Sequence, residues 1–105
     1  MTYYAIYRDD ERTEGPAGLF VMDAGTGQAI LWDHRNRAWA YDPGLVVRFL
    51  NDYRKFDRYE TVDRAAAQSV ARIVAGGASL PDEEAILAMF AAGARGGRLP
   101  PTEGQ

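Results

Sequence analysis

The sequence predicts an α+β fold: a four-strand antiparallel β-meander over residues 1–41, packed on about three C-terminal helices. Two observations carry this. Residues 1–41 break into short runs rich in aromatic and β-branched residues, separated by turns containing Gly, Pro and Asn. From Asp42 onward apolar residues recur at helical spacing, and the helical stretches open on residues suited to cap them. At 105 residues the chain has material for one core, so a single domain over 1–95 is expected, with a flexible tail over 96–105.

The first run, TYYAIYR at 2–8, reads as a strand followed by a charged Gly-Pro loop over 9–18. GLFVMD at 18–23 and QAILWD at 28–33 flank the turn Ala24-Gly25-Thr26-Gly27 and form a hairpin. A second turn, His34-Arg35-Asn36-Arg37, leads into AWAY at 38–41, and Asn36 is the residue there best suited to a left-handed conformation. Side chains alternate faces along a strand, so a turn centred on Arg35-Asn36 sets Trp32 opposite Trp39; Ile30 shares the face of Trp32, and Tyr41 that of Trp39. A slip of one residue breaks this pair.

Asp42-Pro43 opens the first helix, with Asp42 as N-cap and Pro43 at the first helical position, where no donor is needed. The helix is expected to run to about Lys55, with Leu45, Val46, Phe49, Leu50 and Tyr53 in one apolar stripe that covers a face of the meander. Arg54 and Lys55 would then complement the dipole in its last turn. Residues 56–62 read as a connector with room for a brief extended stretch. Asp63 caps a second helix with the stripe Ala66, Ala67, Val70, Ile73 and Val74, which Gly76-Gly77 ends. Ser79 reads as the cap of a third, with Asp82, Glu83 and Glu84 in its first turn. Residues 85–92, AILAMFAA, leave that helix no polar face, so it is either enclosed, in part by another chain, or tolerates water through its alanines.

Composition narrows the chemistry. The chain has no cysteine, which removes disulfides, thiol nucleophiles and Cys-based zinc sites and accords with a reducing, cytoplasmic setting. Residues 1–15 lack the pattern of a signal peptide, and the longest apolar run, eight residues, is too short to span a bilayer, so no membrane partner is expected. Net charge is −3, but the segment 34–58 carries six basic and three acidic groups. Eleven of the twelve basic residues are Arg, a bias that a GC-rich coding sequence explains as readily as selection for guanidinium chemistry.

No cofactor or metal site is expected. His34 is the sole histidine and sits on a turn beside Asp33, whereas a metal centre wants several strong ligands. Gly25-Thr26-Gly27 has Ile30 where a dinucleotide fingerprint needs glycine, and a strand rather than a helix follows. No serine lies in a nucleophile elbow.

These exclusions favour a non-catalytic protein-protein interaction domain of accessory, regulatory or inhibitor type, binding another protein or itself as a homodimer. Its expected partner surface joins the hairpin residues Trp32, Arg35, Arg37, Trp39 and Tyr41 to Leu87, Met89 and Phe90 of the third helix. The alternative is nucleic-acid binding through 34–58, where cations meet phosphate and aromatics stack on bases. A second alternative is a small enzyme using Asp33 and His34 as an acid-base pair.

Overall fold

The computed structural model describes residues 1–8 and 15–96. Its elements in order are β1 (Thr2–Tyr7), β2 (Pro16–Asp23), β3 (Gln28–Asp33), β4 (Ala38–Tyr41), α1 (Pro43–Asn51), a 3-10 helix (Tyr53–Arg58), β5 (Tyr59–Val62), α2 (Arg64–Val74) and α3 (Glu83–Gly96). The strands form one antiparallel sheet in the order β4-β3-β2-β1-β5. The α+β class is as expected, and the sheet has five strands rather than four.

The additional strand lies in the stretch read as a connector. Tyr59 pairs with Ile6 and Val62 with Tyr3, and the Glu60 carboxylate accepts a 2.7 Å hydrogen bond from the Tyr7 hydroxyl. Tyr59, Thr61 and Val62 are residue types suited to a strand, but a run of four interrupted by Glu60 is too short to stand as one by itself; pairing with β1 makes it one. Strand β2 begins at Pro16, earlier than the turn residues suggested. Proline is tolerated there because it opens the strand beside a register shift between Ile6 and Tyr7. The expected tail falls almost wholly on 97–105, outside the described residues.

Alternation sends Tyr3, Ala5, Leu19, Val21 and Ile30 to one face, where they meet Val70 and Ala71 of α2 and Ile86 and Phe90 of α3. Ile6, Phe20 and Ala29 go to the other face and pack on Val46 of α1. Both faces of the sheet are thus covered, one by α1 and the other by α2 and α3.

Asp42 caps α1, accepting from the Leu45 N–H at 3.1 Å, but the helix stops at Asn51 instead of reaching Lys55. The cause is Asp52. Its backbone is extended, and its carboxylate accepts from both the Arg54 N–H (3.0 Å) and the Arg54 guanidinium (3.1 Å), which starts the 3-10 helix. Arg54 and Lys55 therefore belong to that element, and Leu45, placed in the stripe, is exposed. In α2 the Asp63 cap holds the Ala66 N–H at 2.8 Å. The buried stripe is Ala67, Val70 and Ala71, with Val74 half-buried, while Ala66 is exposed and Ile73 is 65% exposed. Gly76 and Gly77 both take positive φ, and the Gly77 N–H donates to the Arg72 carbonyl at 3.1 Å, closing a Schellman motif.

The cap of α3 is Asp82, which accepts from the Ala85 N–H at 2.8 Å, not Ser79. The carbonyl of Ser79 accepts the Trp39 indole N–H at 3.2 Å instead. Only one side of α3 is enclosed: Ile86 and Phe90 are buried and Met89 half-buried, while Ala88, Ala91 and Ala92 are exposed and Leu87 is 49% exposed. Gly93 lies directly against the Tyr41 ring, so close that a Cβ there would penetrate it. That contact seats α3 on β4.

Helix propensity alone favours alanine over glycine at position 93 by about 1 kcal/mol. Steric exclusion by Tyr41 predicts the opposite sign, a destabilisation of about 1–3 kcal/mol for Gly93→Ala from overpacking. Urea unfolding decides it, since a raised midpoint would mean that Tyr41 does not hold the helix.

Candidate functional site

The residues singled out in the sequence lie on the β3–β4 hairpin and on the helix that packs over it. Two successive hairpin turns of this sheet share one construction. In the first, the Asp23 carboxylate accepts from the Gly25 N–H at 2.9 Å and the Asp23 carbonyl from the Gly27 N–H at 2.7 Å. In the second, Asp33 does the same for the N–H groups of Arg35 (2.9 Å) and Arg37 (2.7 Å). A four-residue loop closed in this way places its last residue in the left-handed region. Gly27 has φ +78° and Arg37 φ +54°. The left-handed residue is therefore Arg37 and not Asn36, whose side-chain amide instead donates to Asp33 Oδ2 at 2.8 Å. Glycine takes this conformation freely, whereas an L side chain pays for it in backbone strain.

The turn fixes the register, and Trp32 stands opposite Trp39 as expected. Their rings meet edge to face, with centroids 5.2 Å apart at an interplanar angle of 70°, a geometry worth about 0.5–1.5 kcal/mol beyond burial. The Trp39–Ser79 hydrogen bond ties the hairpin to the segment before α3. Arg64 braces that segment from the other side, donating at 2.9 Å to both the Tyr3 hydroxyl and the Pro81 carbonyl.

The eight expected partner-surface residues divide. Trp32, 9% exposed, and Phe90, 2% exposed, are core residues and stand behind the surface rather than on it. The edge-to-face pairing and the α3–sheet contact account for their burial. Trp39, Tyr41 and Met89 are half-buried, each packed against the core with part of the side chain at the surface. Arg35, Arg37 and Leu87 are exposed. The basic residues of 34–58 do not form one stripe. Arg35 and Arg37 occupy the hairpin tip, Arg48 lies on α1 across the sheet, Arg54 is paired with Asp52, and the Lys55 ammonium sits 5.0 Å from the centre of the Phe49 ring.

Asp33 and His34, offered as an acid-base pair, each bond to other partners. The Asp33 carboxylate is committed to the turn, bound by Arg35 and Asn36. Its pKa is held below the usual carboxylate value, first by the Asn36 backbone N–H and then by the Asn36 side chain. His34 Nε2 is 2.8 Å from the Ala17 carbonyl, which only accepts, so Nε2–H donates there and pins the tip to β2. The ring borders two shallow depressions, one shared with Arg8, Pro16 and Ile73 and the other with Trp32, Arg37 and Gly76. Among the described residues, no three His, Asp or Glu side chains stand together as a metal-binding group. No helix among them is long and apolar enough to cross a membrane. Compared with known proteins, the chain matches no family model, no curated protein and no solved structure.

Two predictions test the turn. Arg37→Gly should raise stability by about 0.5–1 kcal/mol, as relief of the left-handed conformation outweighs the flexibility glycine adds to the unfolded chain. An unchanged or lowered urea midpoint would mean that Arg37 is not strained. The second concerns pH. A carboxylate depressed in the folded state stabilises above the unfolded value of about 4, and that contribution fades as pH falls through the lower folded value. The stability gap between the wild type and Asp33→Asn should therefore be widest near neutrality and narrow on acidification. A gap independent of pH would show that the charge on Asp33 is not what holds the turn.

Proposed function

We propose that this chain is a non-catalytic protein-binding module of accessory, regulatory or inhibitor type. The observation that carries the reading is the apolar surface left on α3. Leu87 stands about half-exposed beside exposed alanines, on a helix whose opposite side is committed to the β3–β4 hairpin. Half-buried Trp39, Tyr41 and Met89 and exposed Arg35 and Arg37 add the aromatic and guanidinium chemistry in which binding hot spots are rich. The helix cap, the Gly93 contact and the Arg64 brace hold these groups on rigid elements, which lowers the ordering cost of binding. A cysteine-free chain suits a reducing, cytoplasmic setting.

A photo-crosslinking residue at position 87, expressed in the full chain in cells, should yield a discrete protein adduct. The same residue at Val47, an exposed position on α1 across the sheet, should not. Equal adducts from both positions, or none from 87, would remove α3 as a binding surface. A salt-sensitive gel shift with DNA or RNA, lost on replacing Arg35 and Arg37 by Ala, would favour the nucleic-acid reading instead.

A further inference from the structure

We propose that strand β4 is a self-pairing edge, through which two copies of this chain join their sheets antiparallel about a two-fold axis passing beside Ala40. This rests on the protein-binding reading above and names the partner as a second copy. The argument begins from hydrogen-bond parity. The Asp42 N–H donates to the Ala29 carbonyl at 3.2 Å, and β3 and β4 pair residue by residue from there, with Leu31 against Ala40 and Asp33 against Ala38. In an antiparallel ladder, residues that exchange hydrogen bonds alternate with residues whose N–H and C=O point the other way. Ala38, Ala40 and Asp42 therefore face β3. The N–H and C=O of Trp39 and Tyr41 point outward along the edge of the sheet.

Edges of natural sheets are commonly guarded by charge, proline or a bulge. The β5 edge carries Glu60, whereas β4 reads Ala-Trp-Ala-Tyr, with no charge, no proline and no register shift. The outward groups of β4 are self-complementary. An antiparallel copy set with Ala40 opposite Ala40 brings Trp39 of each chain opposite Tyr41 of the other, and these two pairs satisfy all four outward N–H groups and all four carbonyls. The central Ala40 pair is then of the close, non-hydrogen-bonded kind, and alanine suits it.

Charge at the ends of the strand selects the same orientation. Arg37 precedes β4 and Asp42 follows it, so an antiparallel copy sets each Arg37 near the other chain's Asp42, while a parallel copy would set like charges together. In the antiparallel arrangement Trp39 and Tyr41 sit side by side across the junction, on the face that carries α3.

The test uses the full chain. Sedimentation should show a monomer–dimer equilibrium that shifts to dimer with rising concentration. Ala40→Lys and Ala40→Glu should each be folded monomers by circular dichroism and sedimentation, since like charges then meet at the axis, and an equimolar mixture of the two should recover the dimer. Ala40→Cys, the only thiol in its chain, should form a disulfide-linked dimer on mild oxidation, and Ala38→Cys should not. A wild type that stays monomeric at all concentrations overturns the proposal, while an adduct from position 87 to a different protein would leave the binding-module reading standing. A wild-type dimer that survives Ala40→Lys also overturns it, and places self-association on another surface.

Discussion

The register of the β3–β4 hairpin is the constraint on which the rest of the molecule depends. With Trp32 opposite Trp39, the two indoles share the face that α3 covers, Tyr41 meets Gly93, and the Trp39 indole N–H reaches the Ser79 carbonyl. A slip of one residue in the turn would carry Trp39 and Tyr41 to the α1 face and bring Ala38 and Ala40 beneath α3. The helix would then lose its seat and the indole pair its partner. The turn therefore does more than reverse the chain: the Asp33 carboxylate and carbonyl, acting through Arg35, Asn36 and Arg37, choose which side chains become core.

That turn keeps an arginine in a conformation its twin gives to glycine. The neighbouring hairpin solves the same geometry with Gly27, so the backbone does not require Arg37 for its own sake. The strained position is exposed, and its guanidinium is one of the surface groups of the proposed binding module. The guanidinium stands at the hairpin tip beside His34, at the end of an edge strand that the polar groups of its own sheet leave open on one side. Surface chemistry and backbone cost thus meet at one residue.

Much of the fold was legible in the sequence because its signals are local. Caps at Asp42 and Asp63, the Gly76-Gly77 stop and the two hairpins all act within about five residues, and each sits where it was read. Signals that act at a distance were not legible. Strand β5 exists because β1 offers it an edge, and α1 ends early because Asp52 prefers Arg54 to another helical turn. Ser79 lost its expected role as a cap to Asp82 and gained one through Trp39, forty residues away in sequence. The candidate site was half legible. Residue type found the aromatic and guanidinium side chains, but type cannot separate Trp32 and Phe90, which are core, from Leu87, which is not. The missing signal is the phase of α3, and a helix of alanines with apolar residues on every side gives no polar stripe from which to read it.

The most direct check on this account is the Hα–Hα cross-peak pattern across β3 and β4 in a nuclear Overhauser spectrum. Residues that face each other in a non-hydrogen-bonded pair of an antiparallel ladder bring their α-carbons to about 4.5 Å. A strong Hα–Hα contact between Trp32 and Trp39, with a second between Ile30 and Tyr41, is the expected result. Contacts from Trp32 to Ala38 or Ala40 in their place would mean a slipped register, and the seating of α3, the burial of the indole pair and the outward direction of the edge groups would all be contradicted together.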